Sequence, residues 1–191
     1  MKWTMRHASK FVLMASLTLG AGNVFAQSAD KDPAAIIEIG AAPSQGLTGG
    51  GTSVGPDLAV EFTPIENWLE IEAGTTPLFS HGSTEWDTDL LMKKPWTLSE
   101  KAEFMAGIGP EWIHTSEHGR TNDSPGIELA GDFMFWPGRH KFGWFLEPAY
   151  DYSFGPGHEQ SISISGGLLI GVGVRHTKTK TAKCAGCQVP P

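Results

Sequence analysis

Cysteine is almost absent from this chain. Its only two, in Cys184-Ala185-Gly186-Cys187, stand near the end. A lone Cys-x-x-Cys without a second pair lacks the four ligands of a structural zinc site, and no strand–helix–strand pattern surrounds it to suggest a thioredoxin-like site. In an exported chain it reads as a small tail disulfide. Long apolar runs are missing too. The single candidate, Phe11 to Gly22, follows Lys2, Arg6 and Lys10 and leads into Val24-Phe25-Ala26. It is shorter than the about 20 residues a membrane helix needs, and it has the layout of a secretory signal. Cleavage is expected after about Ala26, leaving Gln27 first in the mature protein. Positive charge is scarce: that signal takes three of the 14 Lys plus Arg and none of the 21 Asp plus Glu, so the mature chain carries 11 bases against 21 acids, net −10. A chain so acidic is no partner for nucleic acid, which demands a basic face. Helical periodicity is also lacking, since no window keeps a 3.6-residue apolar repeat for three turns. Gly49-Gly50-Gly51 lacks the Gly-Lys-Ser/Thr ending of a phosphate loop and reads as flexible. With no helix and no long apolar run, such a chain enters a bilayer only as strands.

What is present is alternation with period two. From Lys141 to Phe154, Phe142, Trp144, Leu146, Pro148, Tyr150, Tyr152 and Phe154 alternate with Gly143, Phe145, Glu147, Ala149, Asp151 and Ser153. Thirteen steps at about 3.3 Å make roughly 43 Å, which still crosses a hydrocarbon layer of ~30 Å when tilted by about 40°. Gly155-Pro156-Gly157 turns the chain, and His158 to Ile170 returns it with Ile162 and Ile164 set against Ser161, Ser163 and Ser165. Six earlier segments alternate likewise: 35–41, 57–62, 68–79, a fourth around Trp86, Leu90 and Met92 that ends at Lys93-Lys94-Pro95-Trp96, 101–115 and a sixth through Ile127 to Phe135. The connections between the eight run 43–55, 63–67, 80–83, 95–100, 116–125, 137–140 and 155–157, with the longer ones mostly at one end, as in outer-membrane barrels. The expected layout is a signal over 1–26, a leader over 27–34, a barrel over 35–173 and a flexible basic tail over 174–191.

Alternation alone leaves open which face points inward. The apolar face is bulky, whereas an eight-stranded barrel has an interior just wide enough for side chains. The opposite face carries Gly40, Gly74, Gly107, Gly109, Gly143 and the serines of the last strand, and it fits that space. Aromatics also gather near the strand ends, at Phe62, Trp68, Trp96, Trp136 and Phe142 on one side and Phe79, Trp86, Trp112, Tyr152 and Phe154 on the other, as interfacial girdles do. Pro110 and Pro148 each remove a ladder hydrogen bond and call for a local accommodation. The fold expected is therefore all-β, an eight-stranded antiparallel up-and-down transmembrane β-barrel.

Three stretches strengthen the picture: Glu61-Phe62-Thr63-Pro64-Ile65-Glu66-Asn67-Trp68-Leu69-Glu70, Phe104-Met105-Ala106-Gly107-Ile108-Gly109-Pro110-Glu111-Trp112 and Leu146-Glu147-Pro148-Ala149-Tyr150. Over about 35–172 the chain resembles the small bacterial outer-membrane β-barrel proteins of OmpA-like architecture. The resemblance implies an outer-membrane location, a monomer, and outer-membrane lipid and the barrel assembly machinery as partners, and because eight strands return the chain to its starting side both termini are expected in the periplasm. Such barrels commonly finish on an aromatic strand recognised by that machinery, whereas this chain runs on from Gly173 through Arg175-His176-Thr177-Lys178 to Pro191.

The small-residue face is acidic. Its candidate lumen carboxylates are Glu38, Glu61, Glu70, Glu72, Glu111, Glu128, Asp132 and Glu147, joined by Asp57, Glu85, Asp87, Asp89, Glu103 and Asp151. The bases Lys93, Lys94, Lys101, Arg120, Arg139 and Lys141 read as turn and loop residues. Crowded carboxylates must hold protons, recruit cations or stay hydrated, so the expectation is a wet acidic lumen. No cofactor is expected, although such a face could take a divalent cation or another cationic ligand, or line a narrow cation path. No enzymatic site stands out. His114-Thr115-Ser116-Glu117-His118 has the zinc-protease spacing but leaves a strand for a loop, whereas that chemistry needs a helix to converge its ligands. His158 and Ser161 are three apart, which on a strand points them to opposite faces. The leading reading is a non-enzymatic outer-membrane barrel with a structural, adhesive or ligand-binding role through loops 43–55 and 116–125. The alternatives are a soluble periplasmic barrel enclosing a lipophilic ligand, separable by cell fractionation, and a membrane lipid hydrolase, separable by activity with and without His158.

Overall fold

The computed structural model describes residues 33–48, 51–138 and 141–175. Within them the chain is all-β: β1 (Ala35–Gly46), β2 (Thr52–Ile65), β3 (Leu69–Phe79), β4 (Ser83–Ser99), β5 (Ala102–Glu117), β6 (Arg120–Phe135), β7 (Phe142–Ser153) and β8 (Gln160–Val172). Each strand pairs antiparallel with its neighbour in sequence, and β8 closes the ring on β1. The register Ala35↔Val172 on that seam brings both ends of the barrel chain to one rim, here termed the terminal rim. The opposite rim, termed distal, carries connections 47–51, 80–82, 118–119 and 154–159. The expected signal over 1–26, most of the expected leader, the rest of the expected tail and Cys184 and Cys187 lie outside the described residues.

The strands outrun the alternation that announces them. Of the expected long loops, 43–55 shrinks to 47–51, because β1 continues to Gly46 and β2 begins at Thr52. The expected loop 116–125 is a two-residue hairpin in which Glu117 pairs directly with Arg120. His118 and Gly119 both take positive φ, at 49° and 77°, as a type I′ turn requires. The connection expected over 95–100 is strand as far as Ser99. The reason is plainest in β6, whereas over 95–99 the outward Trp96 and Leu98 keep the apolar alternation and only Lys93-Lys94-Pro95 resembles a strand end. Apolar alternation marks only the stretch with one face against an apolar medium, while Arg120 to Ser124 continue the ladder through backbone hydrogen bonds with both faces polar.

Prolines are absorbed at gaps in the ladders. The pairing of β2 with β3 passes from Val54↔Phe79 to Leu58↔Thr75, and the register carried across that gap sets Pro56 opposite Pro77. Pro110 falls in a similar gap between β4 and β5, and Pro148 in one between β6 and β7.

Side-chain parity turns the barrel inside out relative to a soluble protein. Leu58, Val60, Leu90, Ile108, Leu129 and Leu146 stand exposed on the outer wall, while Glu61 and Asp132 have 0% exposure inside. The wall's aromatics stack across strands, Trp96 on Phe104 (5.7 Å between ring centres) and Phe135 on Trp144 (4.0 Å). Phe62, Trp68, Trp96 and Phe142 are exposed toward the terminal rim, and Phe79, Trp86, Trp112 and Phe154 toward the distal one. Trp136 is not part of that outer belt. It shares the inward parity of Asp132 and Met134 and is buried with Met105, Met134, Phe145 and Leu169, an apolar plug inside the terminal end. Gly143 gives it room, since a Cβ there would stand 2.8 Å from the indole.

Candidate functional site in the barrel lumen

All eight candidate carboxylates point into the barrel and are buried there. They do not form one site. Glu38 (β1), Glu61 (β2), Glu72 (β3) and Asp132 (β6) converge in the terminal half, where each offers an oxygen within 4.8 Å of the others. Glu111 (β5) and Glu128 (β6) join Asp151 (β7) in a second group nearer the distal rim, under the same distance limit. Glu147 (β7) reaches the first group through a lysine. Glu70 stands apart, lining a cavity of about 280 Å³ at the terminal rim together with Glu66, Glu103 and Arg175.

That lysine is Lys93, expected in a turn and found at the centre of the interior, 1% exposed. The correction follows from β4 continuing to Ser99: Asp89, Leu91 and Lys93 share one parity, and all three point inward. Its Nζ donates hydrogen bonds to Glu72 and Glu147 and lies 3.6 Å from Asp132. Gly107, its partner across the β4–β5 ladder, makes room for the lysine stem, because a Cβ at 107 would stand 2.5 Å from Lys93 Cγ. A buried ammonium is tolerable only when paired and hydrogen-bonded, and its removal would leave those carboxylates uncompensated. The sequence did carry the signal, as three inward positions in step, but Lys-Lys-Pro resembles a strand end.

The remaining interior polar groups are partly satisfied within the wall. Thr76 donates to Asp57 (2.9 Å), Ser161 to Asp151 (2.8 Å) and Thr115 to Glu85 (3.3 Å). Oxygens of Glu38, Glu61, Asp87, Asp89, Glu111 and Asp132 are buried without a hydrogen-bond partner. A cavity of about 40 Å³ separates the Lys93 knot from the distal half, and a vestibule of about 200 Å³ opens beyond it at the distal rim.

Neither histidine motif is assembled for catalysis. His114 Nδ1 lies 2.6 Å from Asp123 Oδ1 across the β5–β6 ladder, and His118 occupies the turn. His158 Nδ1 is engaged by the Tyr152 hydroxyl at 3.0 Å, while Ser161 is committed to Asp151.

A closed, eight-stranded antiparallel up-and-down barrel is also the fold of small outer-membrane barrels. Solved structures of that kind share the fold. Neisserial surface protein A matches at a TM-score of 0.59 with 10% identity, over 72% of this chain and 97% of that one. The N-terminal β-barrel domain of Pseudomonas aeruginosa OprF matches at 0.52 with 10% identity, over 73% and 98%. Ail, the attachment invasion locus protein of Yersinia pestis, matches at 0.50 with 14% identity, over 73% and 99%. No protein-family model matches the chain, and no curated protein matches it in sequence.

Proposed function

We propose that this protein is a non-enzymatic barrel of the bacterial outer membrane, closed to conduction, with a structural and cation- or ligand-binding role served from its distal half. One observation carries the reading: fully buried Glu61, Lys93 and Asp132 inside a wall whose outer surface is apolar, with Phe142 69% exposed. In water that arrangement would expose a continuous apolar band far beyond what soluble monomers show, and in a bilayer the same band is solvated by acyl chains. Outer-membrane lipid is then the wall's partner, the barrel assembly machinery its route of insertion, and a monomer its form. The terminal rim faces the periplasm and the distal rim the outside, following removal of residues 1–26. Against conduction stand the Lys93 knot and the plug of Met105, Met134, Trp136, Phe145 and Leu169. Against a soluble carrier of a lipophilic ligand stands the placement of the apolar face outside. Against a lipid hydrolase stands the separate engagement of His158 and Ser161.

The test is twofold. Fractionated cells should hold the mature chain in the detergent-soluble outer-membrane fraction, and the purified barrel in planar bilayers should give no steady conductance. Recovery from the soluble periplasm would sink the membrane reading, and stable channels would sink the closed lumen.

A further inference from the structure

The two carboxylate groups of the interior differ in what balances them. The terminal group has the Lys93 ammonium in hydrogen-bonding contact. The distal group has no such partner, and among the described residues no lysine or arginine lines the cavity it borders. Glu111 is 5% exposed, and its Oε2 is sealed from solvent without a hydrogen-bond partner. Gly126, opposite it in the β5–β6 ladder, preserves space for that oxygen: a Cβ there would stand 2.8 Å from Oε2. The wall is thus cut away around a carboxylate oxygen that no group among the described residues satisfies.

We propose that Glu111, Glu128 and Asp151 hold a hard divalent cation, of the size of calcium, in the distal half of the barrel. Their nearest oxygens lie within 4.8 Å of one another. Ligands on opposite sides of a calcium ion at about 2.3–2.6 Å stand roughly 4.6–5.2 Å apart, so the three oxygens fit around one ion. The adjoining cavity of about 40 Å³ has room for water to complete the shell, since one water occupies about 30 Å³ of liquid. Asp87 and Asp89 of β4, each with a buried unpartnered oxygen, line the same cavity. The way in is the distal vestibule, which shares Ser44, Leu78 and Asp151 with the cavity. An ion reaching this site therefore comes from the medium outside the cell.

The inference rests on the barrel reading but fails separately from it. Full-length mature protein folded in detergent micelles, stripped with chelator, is titrated with calcium chloride by calorimetry, with the strand signal in circular dichroism as the check on folding. One calcium per barrel is expected. Glu128→Gln should weaken it roughly tenfold or more, because ligand charge sets affinity in oxygen sites. Glu111→Gln with Asp151→Asn should abolish it, and Glu100→Gln in the terminal turn should leave it unchanged. Calcium should also raise the melting midpoint of the unmutated barrel, and chelator should return it to the stripped value. A folded unmutated barrel that takes up no calcium overturns the site whatever the variants do, and so does binding that survives in the folded double variant. Either result leaves the barrel in its membrane, which fractionation decides independently.

Discussion

At the scale of single residues the interior is decided by a lysine and the glycines around it. Lys93 donates to acceptors on β3 and β7 and faces Asp132 on β6, with its own side chain sealed from solvent. Lys93→Met keeps the volume but strands Glu72 and Glu147. Breaking a buried pair on one side costs about 3–5 kcal/mol, and urea unfolding of the barrel in detergent should show a loss of that order. A result near zero would mean that water reaches the knot. Gly143→Ala is the steric counterpart. Its methyl group would stand 2.6 Å from the Phe135 carbonyl oxygen and 2.8 Å from the Trp136 ring. Overpacking of this kind costs about 1–3 kcal/mol, read in the same assay. Residue identity was well signalled where parity was unbroken: Glu38, Glu61, Glu72, Glu111, Glu128, Asp132 and Glu147 all sit opposite bulky neighbours that face out. It was obscured where a local cue contradicted parity. Lys93 was hidden by the turn-like Lys-Lys-Pro, and Trp136 by the habit of tryptophan for interfaces.

At the scale of strands, the eight elements and their order were legible because each carries a two-residue apolar period against the outer medium. Their lengths were not. Strand β6 runs from Arg120 to Phe135, but its first five residues, Arg120 to Ser124, are polar and look like loop. Pairing there depends on β5 being in register across a tight turn, which is a property of two segments together. The boundary between wall and extension is testable. Leu129, exposed in the middle of the band, should tolerate arginine poorly, at about 2–4 kcal/mol for a charge near the bilayer midplane. Thr121→Arg, on the distal extension, should change stability by no more than about 0.5 kcal/mol. Both are read as the unfolding midpoint in lipid vesicles, and equal costs would show that the band lies elsewhere.

At the scale of the whole molecule, the ring of connections makes the orientation checkable. A short epitope inserted between His118 and Gly119 should be reached by antibody on intact cells, and one after Val189 only in permeabilised cells. Labelling of the tail epitope alone would reverse the orientation, and the vestibule would then open to the periplasm.

The scattered acceptors of Lys93 also bear on how the barrel comes into being. A partial sheet of β1 to β4 would give the ammonium Glu72 alone, and Glu147 arrives only with the final hairpin. Until then the ammonium lacks its β7 acceptor, and acyl chains cannot take that acceptor's place. Sealing the ring and completing the acceptors of Lys93 are thus a single step, so a half-built sheet gains little by entering a bilayer and the last hairpin commits the whole.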